Sequence, residues 1–103
     1  MKTTSADFDK DVREGEGLIL VKFGATWCGP CRTILPVLER VVEENDGVSL
    51  VSVDIDECRD LAVEFSLTSV PTILFFRDGE VVGQSMGSVS YAKMMSRLAP
   101  HLS

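Results

Sequence analysis

Two cysteines with two residues between them, in Cys28-Gly29-Pro30-Cys31, follow Trp27 and stand between an apolar run and a stretch with helical periodicity. Held one helical turn apart at a helix entrance, such a pair can open and close a disulfide with little backbone movement. That makes it an exchanger of electron pairs. Cys28 is expected at the helix N-terminus, where unpaired N–H groups and the helix dipole favour negative charge and lower a thiol's pKa. The thiolate is the attacking species, so Cys28 is assigned as nucleophile. Cys31, one turn inward, is the resolving thiol that releases the product as a dithiol. Gly29 permits close backbone approach, Pro30 stiffens the loop, and Trp27 offers a broad surface for docking.

A C-x-x-C pair is also half of many zinc sites, but a closed site takes about four Cys or His ligands. Only Cys58 and His101 remain as candidates, with no second pair, so no metal is expected. Three cysteines do not make a disulfide framework either. Cys58 follows Asp56-Glu57 at an expected helix start. The neighbouring carboxylates oppose its activation, and it reads as a passive thiol. His101 reads as solvated in the tail, Glu39, Glu43 and Glu44 as a solvated helix face, and Met94 and Met95 as packing residues.

The elements that must hold the pair follow from periodicity. Ser5 as N-cap, with Phe8 and Val12 four apart, predicts a short helix over 5–13 that Gly15 and Gly17 end. Leu18 to Gly24 is nearly all apolar, broken by Lys22, as suits a strand covered on both faces. After Cys28, the positions of Ile34, Leu38, Val41 and Val42 share one helical face. Pro30 falls in the first turn and Pro36 inside the helix, where it should kink it, and Asn45-Asp46-Gly47 closes it. Val48 to Ile55 reads as a strand and Asp56 to Phe65 as a helix. Val70-Pro71-Thr72 introduces the apolar run Ile73 to Phe76. Asp78-Gly79 has the chemistry of a two-residue hairpin leading to Val81 and Val82, and Gly83 and Gly87 bracket that strand's end. A last helix from about Ser88 presents Tyr91, Met94, Met95 and Leu98, with Pro100 near its end. This order predicts one α/β domain over residues 1–103 with a mixed sheet.

Bulk properties agree. The chain has 103 residues, is 45% hydrophobic and 25% charged, and carries a net charge of −6. That balance suits one globular domain and argues against nucleic acid, whose phosphates would repel the surface. The longest apolar runs are far short of a membrane span, and residues 1–7 hold no apolar leader segment. The expected setting is cytoplasmic, and the expected state a monomer.

The sequence resembles the thioredoxin family over nearly its whole length. The match rests on Phe23-Gly24-Ala25-Thr26-Trp27-Cys28-Gly29-Pro30-Cys31-Arg32, Pro36, Val53-Asp54-Ile55-Asp56, Val70-Pro71-Thr72, and Asp78-Gly79 with Gly87. The resemblance implies the thioredoxin fold, a single mixed β-sheet with helices on both faces. It implies reduction of protein disulfides through Cys28 and Cys31, reloading by an NADPH-dependent thioredoxin reductase, and no cofactor bound in this chain. It also implies a cis bond before Pro71, a Val70 backbone free to pair with an extended client segment, and a docking patch of Trp27, Gly29, Pro30, Val70, Pro71 and Gly87.

Three positions depart from the family pattern. Lys22 stands where many members carry a buried Asp that manages the resolving thiol's proton. Gly24 stands where many carry Trp, and Ser52 where bacterial members often carry Lys. Lys22 has two readings: an electrostatic or proton-handling role at the thiolates, or a packed stem whose ammonium reaches water. A cationic Lys22 would favour the dithiolate and a more oxidising site. The few residues before the first helix predict an opening strand short or absent, leaving a sheet edge more exposed. Two other functions stay open at this level: a binding or assembly module with incidental redox activity, and a thiol oxidase or isomerase with a more oxidising site.

Overall fold

The computed structural model describes residues 1–102. Four strands form one sheet: β1 (Leu18–Gly24), β2 (Val48–Asp54), β3 (Thr72–Arg77) and β4 (Glu80–Met86), in the order β2-β1-β3-β4. β1 pairs parallel with β2 and antiparallel with β3, and β3 pairs antiparallel with β4. The sheet is mixed, as expected. Three α-helices accompany it among the described residues: α1 (Gly29–Glu44), α2 (Arg59–Glu64) and α3 (Tyr91–Leu98).

β1 lies between two strands and is buried on both faces apart from half-buried Lys22, which its nearly continuous apolar run anticipates. Its odd and even positions divide between two cores. Ile19, Val21 and Phe23 join Phe8, Val12, Leu61 and Phe76 on one side, against α2 and the N-terminal segment. Leu18 and Leu20 join Ile34, Leu38, Val41, Met94 and Leu98 on the other, against α1 and α3. The same alternation places Lys22 on the α1 side.

Helix starts depart most from expectation. The N-terminal segment is not an α-helix from Ser5 but a short π-helix over Asp9–Arg13, with the Glu14 N–H on the Asp9 carbonyl. Ser5 caps nothing there; its hydroxyl donates to the Asp60 carboxylate in the first turn of α2. α2 begins at Arg59 rather than Asp56, because the Asp54 carboxylate accepts the Asp56 N–H in a turn that delays it. α3 begins after Ser90 rather than at Ser88, since the Ser90 hydroxyl accepts the Lys93 N–H. The turn between β3 and β4 has positive φ at both Asp78 and Gly79, the hairpin geometry that Asp-Gly favours.

The opening strand reduces to one bridge: Lys2 lies parallel to Ser52, whose N–H and carbonyl bond Met1 and Thr3. The β2 edge is thus covered over that short stretch. His101 is half-buried rather than solvated, with its ring packed edge-on against Phe75 and its carbonyl accepting from Arg77. A side chain at Gly83 would collide with both rings, so glycine admits this packing.

Candidate active site

Cys28 is the N-cap of α1. Its backbone is extended, and its Sγ accepts the Cys31 N–H at 3.2 Å. Pro30 sits within the first turn, where it has no N–H to leave unpaired. Cys28 and Cys31 are joined as a disulfide, with Cα atoms 5.3 Å apart. Both sulfur-bearing residues are largely buried, while Gly29 and Pro30 beside them are exposed. The two cysteines therefore sit one turn apart at the top of a helix, with their bonded sulfurs largely covered.

The loop before the pair is anchored at two points that spacing does not announce. The Trp27 indole N–H donates to the Asp56 carboxylate at 2.8 Å, and the Arg32 guanidinium donates to the Thr26 carbonyl at 2.8 Å. Trp27 is held in place although it is 64% exposed. Asp56 belongs to the Val53-Asp54-Ile55-Asp56 motif, yet its partner lies 29 residues away and no local pattern reveals it.

The expected docking residues form two neighbouring parts. The bond between Val70 and Pro71 is cis. Among the described residues nothing hydrogen-bonds the Val70 backbone N–H or carbonyl. The Pro71 carbonyl accepts from Gly87 N–H at 2.9 Å, and Gly87 adopts a positive φ that a larger residue would resist. Trp27 and Val70 also line one groove of about 330 Å³, whose walls include Ile55, Ala62 and Leu67. These last three are functional candidates missed by motif reading: Ile55 and Ala62 read as apolar members of an expected strand and helix, and Leu67 falls in no expected element.

Behind the pair lies a larger cavity of about 460 Å³, whose walls include Lys2, Lys22, Gly24, Cys31, Arg32 and Asp54. Lys22 is half-buried and lies opposite Ser52 in the β1–β2 register, and its ammonium makes no hydrogen bond or ion pair among the described residues. Burial holds its ammonium pKa below the usual value, and the Glu39 carboxylate partly opposes that shift. Gly24 packs closely against the inner cysteine: a Cβ there would stand 3.1 Å from Cys31 Sγ and 3.3 Å from Cys31 Cβ, tighter than an ordinary contact, and 3.9 Å from Lys22 Cε. Lys22 and Cys31 line the same cavity.

Cys58 is buried in the core on the α2 side, remote from solvent, as a passive thiol should be. Glu39, Glu43 and Glu44 are exposed, but Glu44 is more than solvated: it accepts from the Tyr91 hydroxyl and pairs with Arg40, tying α1 to α3.

Comparison with known proteins is consistent over nearly the whole chain. The family model described as Thioredoxin matches residues 1–100. Thioredoxin C-2 of Corynebacterium nephridii is 42% identical over 95 residues, covering 91% of this chain and 88% of that protein. A thioredoxin of Staphylococcus haemolyticus is 38% identical over 103 residues, covering 99% and 97%. One from Echinococcus granulosus is 35% identical over 88 residues, covering 85% and 82%.

Proposed function

This chain belongs to the thioredoxin family and is a thiol–disulfide oxidoreductase, and from that premise we propose that it reduces protein disulfides by attack of Cys28 and resolution by Cys31. The observation that carries the assignment of roles is the Cys28 sulfur at the N-cap of α1, accepting the Cys31 N–H. A hydrogen bond and a helix N-terminus both stabilise an anion on that sulfur. In the reduced protein the Cys28 thiolate attacks one sulfur of a client disulfide, and the other client sulfur leaves as a thiolate. Cys31, deprotonated, then attacks Cys28 Sγ and expels the second client sulfur. Two electrons and two protons pass to the client, and the Cys28–Cys31 disulfide forms.

Docking is assigned to Trp27, Gly29, Pro30, Val70, Pro71 and Gly87. The unpaired Val70 backbone supports pairing with an extended client segment, a form of strand addition. The groove beside Trp27 and Val70 supports an apolar contact next to it. Partners are then disulfide-bearing proteins on one side and an NADPH-dependent thioredoxin reductase on the other. The chain itself works without a bound cofactor.

Lys22 takes the place of an acid in handling the Cys31 proton. As a cation it stabilises the thiolates, and in its neutral form it accepts the proton that Cys31 must lose. Its lowered pKa and its place in the wall of the cavity that Cys31 also lines support this role. Lys22→Asp should make the redox potential more reducing and alter the rate of exchange; an unchanged potential and rate would remove the role.

The test of the main assignment is reduction of insulin disulfides by dithiothreitol, with and without the protein, repeated with NADPH and a thioredoxin reductase. Both assays should show catalysis, and Cys28→Ser should abolish it. Turnover that survives Cys28→Ser would overturn the assignment.

A further inference from the structure

We propose that Met86 is a modification site: a hydroperoxide oxidises its thioether to the sulfoxide, and the polar group so formed weakens the docking of protein clients. The proposal rests on the docking reading above and adds to it a covalent control at the rim of the same face.

Three observations carry it. First, Met86 is the last residue of β4, and the next residue, Gly87, donates its N–H to the Pro71 carbonyl. In the β3–β4 register Met86 lies opposite Thr72, the residue after Pro71. Opposite residues share a face, so Met86 is on the α2 face of the sheet, to which Leu74 and Phe76 also turn. The thioether thus borders the Val70-Pro71 backbone assigned to the client. Second, Met86 is 47% exposed, one of few large apolar side chains left so open. Third, the remaining methionines are shielded or remote. Met94 is fully buried between α1 and α3, and Met95 packs against the same core with its sulfur accepting from the Asn45 amide at 3.8 Å. Met1 is exposed, but it lies beside β2, at the opposite edge of the sheet from β4.

The Met86 sulfur attacks the terminal oxygen of a hydroperoxide R–O–O–H. An S–O bond forms as the O–O bond breaks, the transferred oxygen gives up its proton, and R–OH leaves. Sulfur loses two electrons and the peroxide gains them. A flexible apolar side chain becomes a polar one. Docking a client over it must then strip water from the new S–O group, and the apolar contact of the thioether is lost. Cys28 and Cys31 keep their chemistry, so the change is one of binding. In the disulfide form they offer the peroxide no thiolate, and Cys58 is buried.

The disulfide form of the full chain should be treated with hydrogen peroxide and each methionine followed by peptide mass. Met86 should gain one oxygen about fivefold or more faster than Met94 and Met95, because access governs the rate. With the peroxide removed, insulin reduction driven by dithiothreitol should show KM raised about threefold or more and kcat nearly unchanged. Repair by methionine sulfoxide reductases A and B should restore KM. Met86→Leu, whatever its own KM, should show no rise on peroxide treatment, whereas Met1→Leu should keep the full rise. Oxidation of Met86 no faster than Met94, an unmoved KM once Met86 is fully oxidised, or an equal rise in Met86→Leu would overturn the proposal. The untreated protein is the separate arm: absence of insulin reduction there overturns the exchange reading itself, whereas reduction that peroxide does not touch overturns only the role of Met86.

Discussion

Placing an ammonium on the inner face of β1 has an energetic cost that pH can remove. Lys22 sits where Leu18 and Leu20 set the pattern, and burial depresses its pKa below the ordinary 10.5. Below the folded-state pKa both folded and unfolded chains hold the proton, and the desolvation penalty is fully present. Between the folded-state pKa and 10.5 the unfolded chain binds more protons, so this group makes stability rise with pH. Lys22→Met should therefore raise the urea midpoint of the oxidised protein near neutrality, and the advantage should shrink as pH climbs towards 10.5. A gain of equal size at neutral and alkaline pH would show that packing, not charge, is responsible. The chemistry of Cys28 and Cys31 was legible from two residue types and a spacing. The environment of Lys22 was only half legible: alternation gives its face, but its missing partner and the void beside it depend on Gly24, Cys31 and Ser52 meeting in space.

Elements were legible where one interaction decides them and blurred where several compete. β1 starts at Leu18 and the hairpin turns at Asp78-Gly79 because backbone conformation and apolar patterning agree there. Helix starts were less clear, since Ser88 and Ser90 are both competent caps and Asp54 and Asp56 compete for the same turn. Each start is set by one local side-chain hydrogen bond that the pattern of residue types does not single out. At α3 the choice falls on Ser90, whose hydroxyl accepts the Lys93 N–H at 3.2 Å. Ser90→Ala should lower stability by about 1 kcal/mol, while Ser88→Ala, which removes no cap, should leave it almost unchanged. Equal losses in the two variants, read from urea midpoints, would show that the cap is shared or misplaced. Insulin reduction should persist in both, because α3 packs against α1 on the side away from Trp27.

At the scale of the molecule, the central position of β1 couples everything. Ile19 and Leu20 are neighbours in sequence, yet one enters the core under α2 and the other the core under α1 and α3. The mixed α/β order followed from the order of the expected elements, and the two covered faces from the nearly continuous apolar run of β1. The π-helix, the half-buried His101 and the cavity did not, because each arises from contacts between segments far apart in sequence. Because one strand serves both cores, the chain should unfold as a single unit over its whole length. Ile19→Ala and Leu20→Ala should each cost about 2–5 kcal/mol, a large share of the roughly 5–15 kcal/mol that holds a domain together. Each should shift one transition, with coincident midpoints by far- and near-ultraviolet circular dichroism and an unchanged dependence on urea. Were the two cores separate units, Ile19→Ala would detach the α2 side first and split the transition. A split of that kind would end the single-domain reading and would place the redox helix on a core able to stand without its neighbour.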